Sequence, residues 1–598
     1  MKNIKNISYA VAAFLVTAAA SCNKQLDEVN PHSATVETAY TTPTGFTGLV
    51  NRAYQDLHQI YGIEDGMFLT EAGTDLWFND SRGTYAQQYT QYVGLAPGQA
   101  QGKNHWTACY RGIYYCNVGL HVVDGANFTN QTEKNQRLGE LRFLRALYYY
   151  HIVEQYGAAT LDTTYKQGAI ITEKLRTAPE DIYAVMIDDL EFAKANLPLK
   201  WADAEYSRAS KKSAMGLYAK VLLTRAYYAT GADRTAWFTK AKAAAEDVIN
   251  NRGALNLDLY PNFAQVGASM YGTTRSQNTE AMFVLAYSEA NNTLNAYTTT
   301  NGNRIFKWTI PKYTQRPGMS TSYVYGADNE QRLMPTWHLL DLFNEDIDAR
   351  YNACFQEVWI ANQAWAWKGN LDNSKLKYQK AASATDSVIA VGDTAMYFTK
   401  KVWGGRLTRR YMEIDRNELY KNPQPGKGAS LQDDKVYVTS CYPGFKKFLN
   451  PNITNTTRTT DYGDAMIMRY AEMLLIAAEA SVQLGDQATA MKYVNDVRKR
   501  AAIPTHEADM EITDPSKVDI NFILDERGRE FAGEQMRWYD LKRVFRSGVD
   551  WVAYILKYNP DMTSIQPFHR DRPIPLAELQ TLSNPVQYGQ NIGYDQPK

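Results

Sequence analysis

Carboxylates and aromatic rings are the side chains of this sequence best suited to catalysis or recognition. Asp341, Asp346 and Asp348 lie close together. A glycosidase-type carboxylate pair needs a separation of roughly 5–9.5 Å across the substrate. A capped, solvated helix end accounts for the same three residues. Glu526, Arg527, Arg529, Glu530, Glu534 and Arg537 recur at helical spacing, with Phe531, Trp538 and Leu541 on another face. That is the pattern of a solvated helix side over a packed one, and it predicts a structural role for Trp538. No two of the eight His lie within five positions, so there is no HExxH or zinc-type spacing, and GxSxG, P-loop and CxxC motifs are absent from the sequence. No catalytic residue, metal site or cofactor is expected.

Binding chemistry is better represented. The segment EAGTDLWFNDSRGTY (71–85) places Trp77 among Asp75, Asn79, Asp80 and Arg82. An aromatic ring offers an apolar face to the C–H groups of a sugar, and short polar side chains reach its hydroxyls. A second aromatic loop, NRIFKWTIPKYTQRPG (303–318), holds Trp308, Tyr313 and Arg316, and a third holds Trp359, Trp365 and Trp367. Packing is the commoner explanation of any single Trp, and only the grouping of loop aromatics with short polar side chains brings the binding reading level with it for the first two loops. The candidate glycan-binding residues are Asp75, Trp77, Asn79, Trp308 and Tyr313.

These loops need a scaffold, and the periodicity supplies one. Helical patterns cover 43–61, 104–123, 139–156 and 180–196, the third apolar almost all round and therefore buried. Two later segments share one design. A helix over 213–230 stops at Gly231, Asp233 caps the next helix, and the unit recurs as a helix over 465–484, Gly485, a capping Asp486 and a further helix. Alanines at the contact faces (Ala226, Ala244, Ala477, Ala478) allow close approach, as in tetratricopeptide-like helix pairs. Between them, residues 253–464 are rich in Gly, Asn, Thr, Tyr, Trp and Pro, with a short helix near 335–344 and strand candidates at 281–287, 355–360 and 436–439. The expected fold is mostly α: a scaffold of such pairs with a large loop-rich insertion containing short strands. The expected divisions are a leader at 1–21, an N-terminal helical scaffold at 22–252 with an early ligand loop at about 62–103, the insertion at 253–464, and C-terminal helix pairs and tail at 465–598 packed with the scaffold as one body.

Lys2 and Lys5, an uncharged apolar run from Ile7 to Ala20, and Ser21-Cys22 read as an export signal, since the run is too short to span a bilayer. The cysteine resembles the lipobox residue of a bacterial lipoprotein, making Cys22 the lipid anchor; a simple signal peptide cut near Ser21 is the alternative. Cys109 and Cys116 lie seven apart in a helical pattern, about 10.5 Å along the axis and too far for a disulfide, so both read as buried apolar residues. Whether Cys354 and Cys441 pair is open. Lys+Arg and Asp+Glu both number 64, which argues against nucleic acid as the partner. The 42 Tyr are explained mostly by burial of rings in helices.

Motifs along nearly the whole chain resemble the SusD/RagB family of nutrient-binding outer-membrane lipoproteins of Bacteroidetes. SCNKQLDEVNP (21–31), GELRFLRALYYYHIVEQYG (139–157), NTEAMFVLAY (278–287), RYAEMLLIAAEASVQLG (469–485), VNDVRKRA (494–501), the expected signature helix in ILDERGREFAGEQMRWYDLKR (523–543) and the tail RPIPLAELQTLSNPVQYGQNIGY (572–594) carry the likeness. The resemblance implies a tetratricopeptide-like scaffold with ligand contacts on a variable insertion. It also implies surface anchoring at the outer membrane, glycan capture without catalysis, and a SusC-type, TonB-dependent transporter barrel as partner. A scaffold for peptide or protein ligands, and a surface glycan hydrolase, are the competing readings.

Overall fold

The computed structural model describes residues 36–597, apart from 80–83, 167, 169–170, 288–301, 315, 327–331, 367–387, 403–410, 417–441, 451, 453–459 and 560. Cys22 and the leader, Asp80, Arg82, Trp367, Cys441 and the strand candidate at 436–439 lie outside the described residues.

The scaffold starts with α1 (Pro43–Gln55), α2 (Glu64–Thr70), α3 (Ala100–Val122), α4 (Gln131–Tyr156), α5 (Pro179–Asn196), α6 (Lys211–Tyr228) and α7 (Gly231–Asn250). The Asn130 side chain caps α4 by accepting from the Thr132 and Glu133 amides, and Gly157, at φ +73°, stops it. From Phe143 to Tyr156 every residue of α4 is buried. Its tyrosines tie neighbouring elements together: the Tyr148 hydroxyl donates to the Ala53 carbonyl at 2.7 Å and that of Tyr156 to the Gly102 carbonyl at 2.8 Å. A Cβ added at Gly112 would lie 2.2 Å from the Tyr148 ring, so glycine is what lets α3 and α4 approach. Cys109 and Cys116 are buried free thiols on this α3 face.

α6 pairs with α7, α7 with α10 (Tyr470–Gln483), and α10 with α11 (Gln487–Arg500). The two helix pairs, some 220 residues apart in the chain, are therefore neighbours in one stack. Tyr227 donates to Glu479 at 2.9 Å and Lys242 pairs with Asp486 at 3.0 Å across the junction. Asp486 caps α11 by accepting from the Thr489 amide, as its position after Gly485 predicts. In the first pair the cap is different. Gly231 opens α7 after Thr230, and Asp233 sits in the first turn, where it complements the helix dipole.

Residues 465–469 are not helical, contrary to expectation. They form a strand, and the reason lies 180 residues upstream. The strands in chain order are β1 (Trp77–Phe78), β2 (Ala281–Leu285), β3 (Met334–Pro335), β4 (Phe355–Gln356), β5 (Val358–Ile360), β6 (Trp365–Ala366), β7 (Val388–Ile389), β8 (Thr394–Phe398), β9 (Met412–Ile414), β10 (Gly444–Phe445) and β11 (Ala465–Arg469). β2 and β11 pair antiparallel, Ala465 opposite Leu285 and Arg469 opposite Ala281, and all five residues of each are buried. This ladder brings the chain that follows α7 against the chain that leads into α10. The expected strands at 281–287 and 355–360 are present as β2 and as β4 with β5.

The charged run at 526–537 is the clearest departure from the sequence reading. It is buried throughout, not solvated. α12 (Ile520–Phe531) and α13 (Arg537–Val544) are separate helices, broken where Gly533 takes φ +74° and Gln535 φ +60°, so no continuous helix covers 523–543. The Gln535 amide compensates by bridging the Ile60 carbonyl and the Gly62 amide. Arg469 pairs with Glu280, Glu530 and Glu534, and Arg350 with Asp348, Glu526 and Glu530. Burial pushes Glu530 up, but Arg500, Arg469 and Arg350 outweigh it and hold the carboxyl near pKa 2. Each buried charge here has opposite charges in hydrogen-bonding contact, the condition under which such a network is tolerated. Trp538 is fully buried, edge-to-face with Trp551 and beneath the Arg572 guanidinium at 4.1 Å, which is the structural role expected of it.

Candidate functional site

The five candidate glycan contacts are all interior. Asp75, Trp77, Asn79 and Tyr313 have no exposed surface, and Trp308 is 1% exposed. The Trp77 ring lies edge-on to Phe445 at 5.1 Å, and its strand β1 pairs with β3. Asp75 receives a forked contact from Arg537 and a bond from Tyr554 at 3.3 Å. Asn559 on the far side donates to the carbonyls of Thr74 and Trp77. The loop is thus held by groups from residues 334–338 and 537–559, and the reading of Trp77 as a solvent-facing platform is corrected: the polar neighbours face protein partners, not sugar hydroxyls.

The carboxylate trio separates as well. Asp348 is buried, caps α9 (Ala349–Cys354) and is gripped by Arg350; Asp341 pairs with Arg416 at the surface; Asp346 is exposed. Of the third aromatic loop, Trp359 is buried and Trp365 partly exposed on β6. Among the described residues no group of three or more His, Cys, Asp or Glu is placed to hold a metal.

Tyr313 nonetheless leads to a surface. Its hydroxyl meets the carbonyls of Ser322 and Gly326 at 2.8 and 2.9 Å and accepts from the Ser322 amide at 2.9 Å. One buried ring thereby closes the turn Tyr323–Tyr325, whose first residues point outward: Tyr323 is 47% and Val324 59% exposed. Ser322 caps the turn by accepting from the Val324 amide, and the Tyr325 hydroxyl accepts from the Ile360 amide at 2.9 Å, fixing the turn to β5.

Beside this turn is a groove of about 440 Å³, within the range of small-ligand sites. α8 (Ala264–Ala268), with Phe263 before it, forms one side; Ala353 and Gln356 form another; Lys446 to Asn450 run along the base. Two local features set its shape. A Cβ on Gly267 would come within 2.7 Å of the Lys447 carbonyl, so α8 lies directly on the base segment. β4 and β10 pair Gly444 with Gln356, and the Lys446 amide donates to the Cys354 carbonyl at 2.7 Å. Lys447 turns inward to Glu534 and the carbonyls of Glu530 and Ala532. Desolvation by burial lowers the pKa of the Lys446 ammonium. Two interior voids near Glu534, of about 10 Å³ each, leave no room for a sugar.

Sequence reasoning missed Tyr323, Phe263 and Lys446. The available signal was the segment TSYVYG (321–326), alternating aromatics after a Ser and before a Gly, which marks an ordered turn with rings that cannot all face inward.

A family model described as "SusD family" matches residues 256–594, more than half of the chain. The protein belongs to the SusD family. A second model, "Starch-binding associating with outer membrane", matches 94–223 and so reaches the N-terminal helices. SusD-like protein P25 of Formosa agariphila is 23% identical over 98% of this chain and 97% of its own length. A SusD-like protein of Bacteroides ovatus is 24% identical over 44% of this chain and 46% of its own. A laminarin-binding SusD-like protein superposes with TM-score 0.61 at 20% identity over 93% of this chain and all of that one. A SusD homologue of Bacteroides thetaiotaomicron gives TM-score 0.65 at 17% identity over 94% and 98%. These SusD structures share the helical fold described above.

Proposed function

We propose that this SusD-family chain is a non-catalytic surface lipoprotein, anchored through Cys22, that captures an oligosaccharide in the groove beside Tyr323. It passes the sugar to a SusC-type, TonB-dependent transporter barrel. The observation that carries the reading is the combination of a small-ligand-sized groove with an outward-facing Tyr on a turn already closed by Tyr313, so ring and backbone need little ordering when a ligand arrives. The laminarin-binding neighbour and a neighbour titled surface glycan-binding protein A, from Bacteroides uniformis, support a glycan as ligand. The membership of the chain in a family with outer-membrane association supports the location.

The test is native affinity electrophoresis of the chain lacking its leader, in gels carrying laminarin, starch, pectin or a sulfated galactan, with reducing-end assays on whichever glycan retards it. Retardation without release of new reducing ends is expected. New reducing ends would establish a hydrolase, and a protein retarded by no glycan but binding peptides would replace the ligand class. In cells, Cys22→Ala is expected to move the protein from membrane to soluble fractions.

A further inference from the structure

We infer that the groove receives a glycan bearing an anionic substituent, a carboxylate or a sulfate ester, with Lys446 as its counter-charge and the Tyr323 ring beside it. The inference rests on the reading of the groove as a glycan site and adds the ligand's charge.

The argument is one of unmatched charge. Several buried cations elsewhere are multiply paired: Arg350, Arg469, Arg500 and Arg543 each contact at least two carboxylates. Lys446 is the contrast. It is half-buried in the groove, and among the described residues its ammonium has no carboxylate or hydrogen-bond partner. Among the described residues the groove lining contains no Asp or Glu. Lys447 cannot share the task, because Glu534 already neutralises it beneath the base. The Cys354 thiol behind Lys446 is pushed up to about 12 by burial and stays uncharged. A partly desolvated ammonium in a concave site without an anion is costly, and burial lowers the pKa of Lys446 accordingly. An arriving anion recovers that cost through a charge-assisted hydrogen bond. A neutral sugar offers only hydroxyls and recovers less. The nearby Val324 and Leu449 keep the site partly apolar, which weakens competition from water for the same ammonium.

The experiment is calorimetric titration of the wild-type chain with three probes: oligogalacturonate for the carboxylate, a κ-carrageenan oligosaccharide for the sulfate, and laminarin oligosaccharide as the neutral control. One of the two charged probes is expected to bind at least tenfold more tightly than laminarin and to weaken as salt rises from 50 to 500 mM. Lys446→Gln is expected to remove that advantage, and Lys446→Arg to keep it within about threefold. The same point is read on the wild-type protein alone by acetylation and peptide mass spectrometry, where the bound probe should protect Lys446. Binding of laminarin in preference to both charged probes overturns the anionic assignment and leaves the glycan reading standing. Charged-probe binding that ignores Lys446→Gln and gives no protection also overturns it. A wild-type chain that binds none of the three overturns the anionic assignment, and one that is also retarded by no glycan in the gels overturns the glycan reading on which the inference rests.

Discussion

The loop around Trp77 and the turn around Tyr323 share a composition, aromatic rings among short polar residues with glycines close by, yet one is core and the other surface. What differs is the range of their hydrogen bonds. Asp75 is bonded to Arg537, Thr336 donates to the Asp75 carbonyl, and Asn559 holds Thr74 and Trp77, all partners more than 250 residues away. The 313–326 segment bonds within itself, through Tyr313 and Ser322, and otherwise to Ile360, Asn362 and Gln363, only about 40 residues on. A segment whose polar groups bond within itself and to a nearby stretch of chain can stand at the surface with rings outward. One whose polar groups bond to distant elements is drawn in, and its rings come with it.

The contrast can be broken most forcefully at the first loop. Arg537→Met leaves Asp75 buried without its main counter-charge and is expected to cost about 3–5 kcal/mol, and Trp77→Ala about the same through the cavity it opens. Both should appear as large falls in melting temperature. A Trp77→Ala protein that melts like wild type but loses glycan binding would return Trp77 to the surface.

A smaller effect is expected from pH, and its sign differs between two carboxyls on the core side. Glu530 is depressed to about 2 against an ordinary 4.5, so its stabilisation is complete above about pH 4.5 and is lost as pH falls from there toward 2. Glu71 is raised to about 8 by burial, against which the Met536 amide is its leading offset, so its folded form favours the proton. Its contribution is fully present below about pH 4.5 and lost as pH rises through 8. Glu71→Gln, which mimics the protonated state, should flatten the decline of melting temperature between pH 5 and 8. A decline as steep as in wild type would show that Glu71 is not its source.

The smallest effect on stability belongs to the second region. Tyr323→Ala removes an outward ring and should shift unfolding free energy by about 0.5 kcal/mol or less. Binding of the retained glycan should weaken by about 1–3 kcal/mol, roughly tenfold to a hundredfold. A loss of stability like that of Trp77→Ala would erase the distinction between the two regions.

The helical scaffold was legible in the sequence because its determinants are local. Gly485 and Asp486 end and start helices through their own backbone and side chain, and the apolar run at 143–156 needs no partner's identity to predict burial. Trp538 was legible for the same reason. Local signals failed where a distant strand or charge decides. Residues 465–469 have helical composition but become a strand because β2 offers a ladder. The acid–base spacing at 526–537 fits a solvated helix, and only Arg350, Arg469 and Arg500, arriving from three other parts of the chain, make its burial affordable.

By itself the sequence determined the helix pairs, the Gly485 stop and Asp486 cap of the second pair, and the family to which the chain belongs, since all are written in short-range patterns and motifs. Tertiary structure alone decided which rings face solvent and that Lys446 has no counter-charge among the described residues. Exposure and pairing are properties of what packs against a residue, and for Trp77 and Lys446 the groups that pack nearby come from parts of the chain that no local pattern connects.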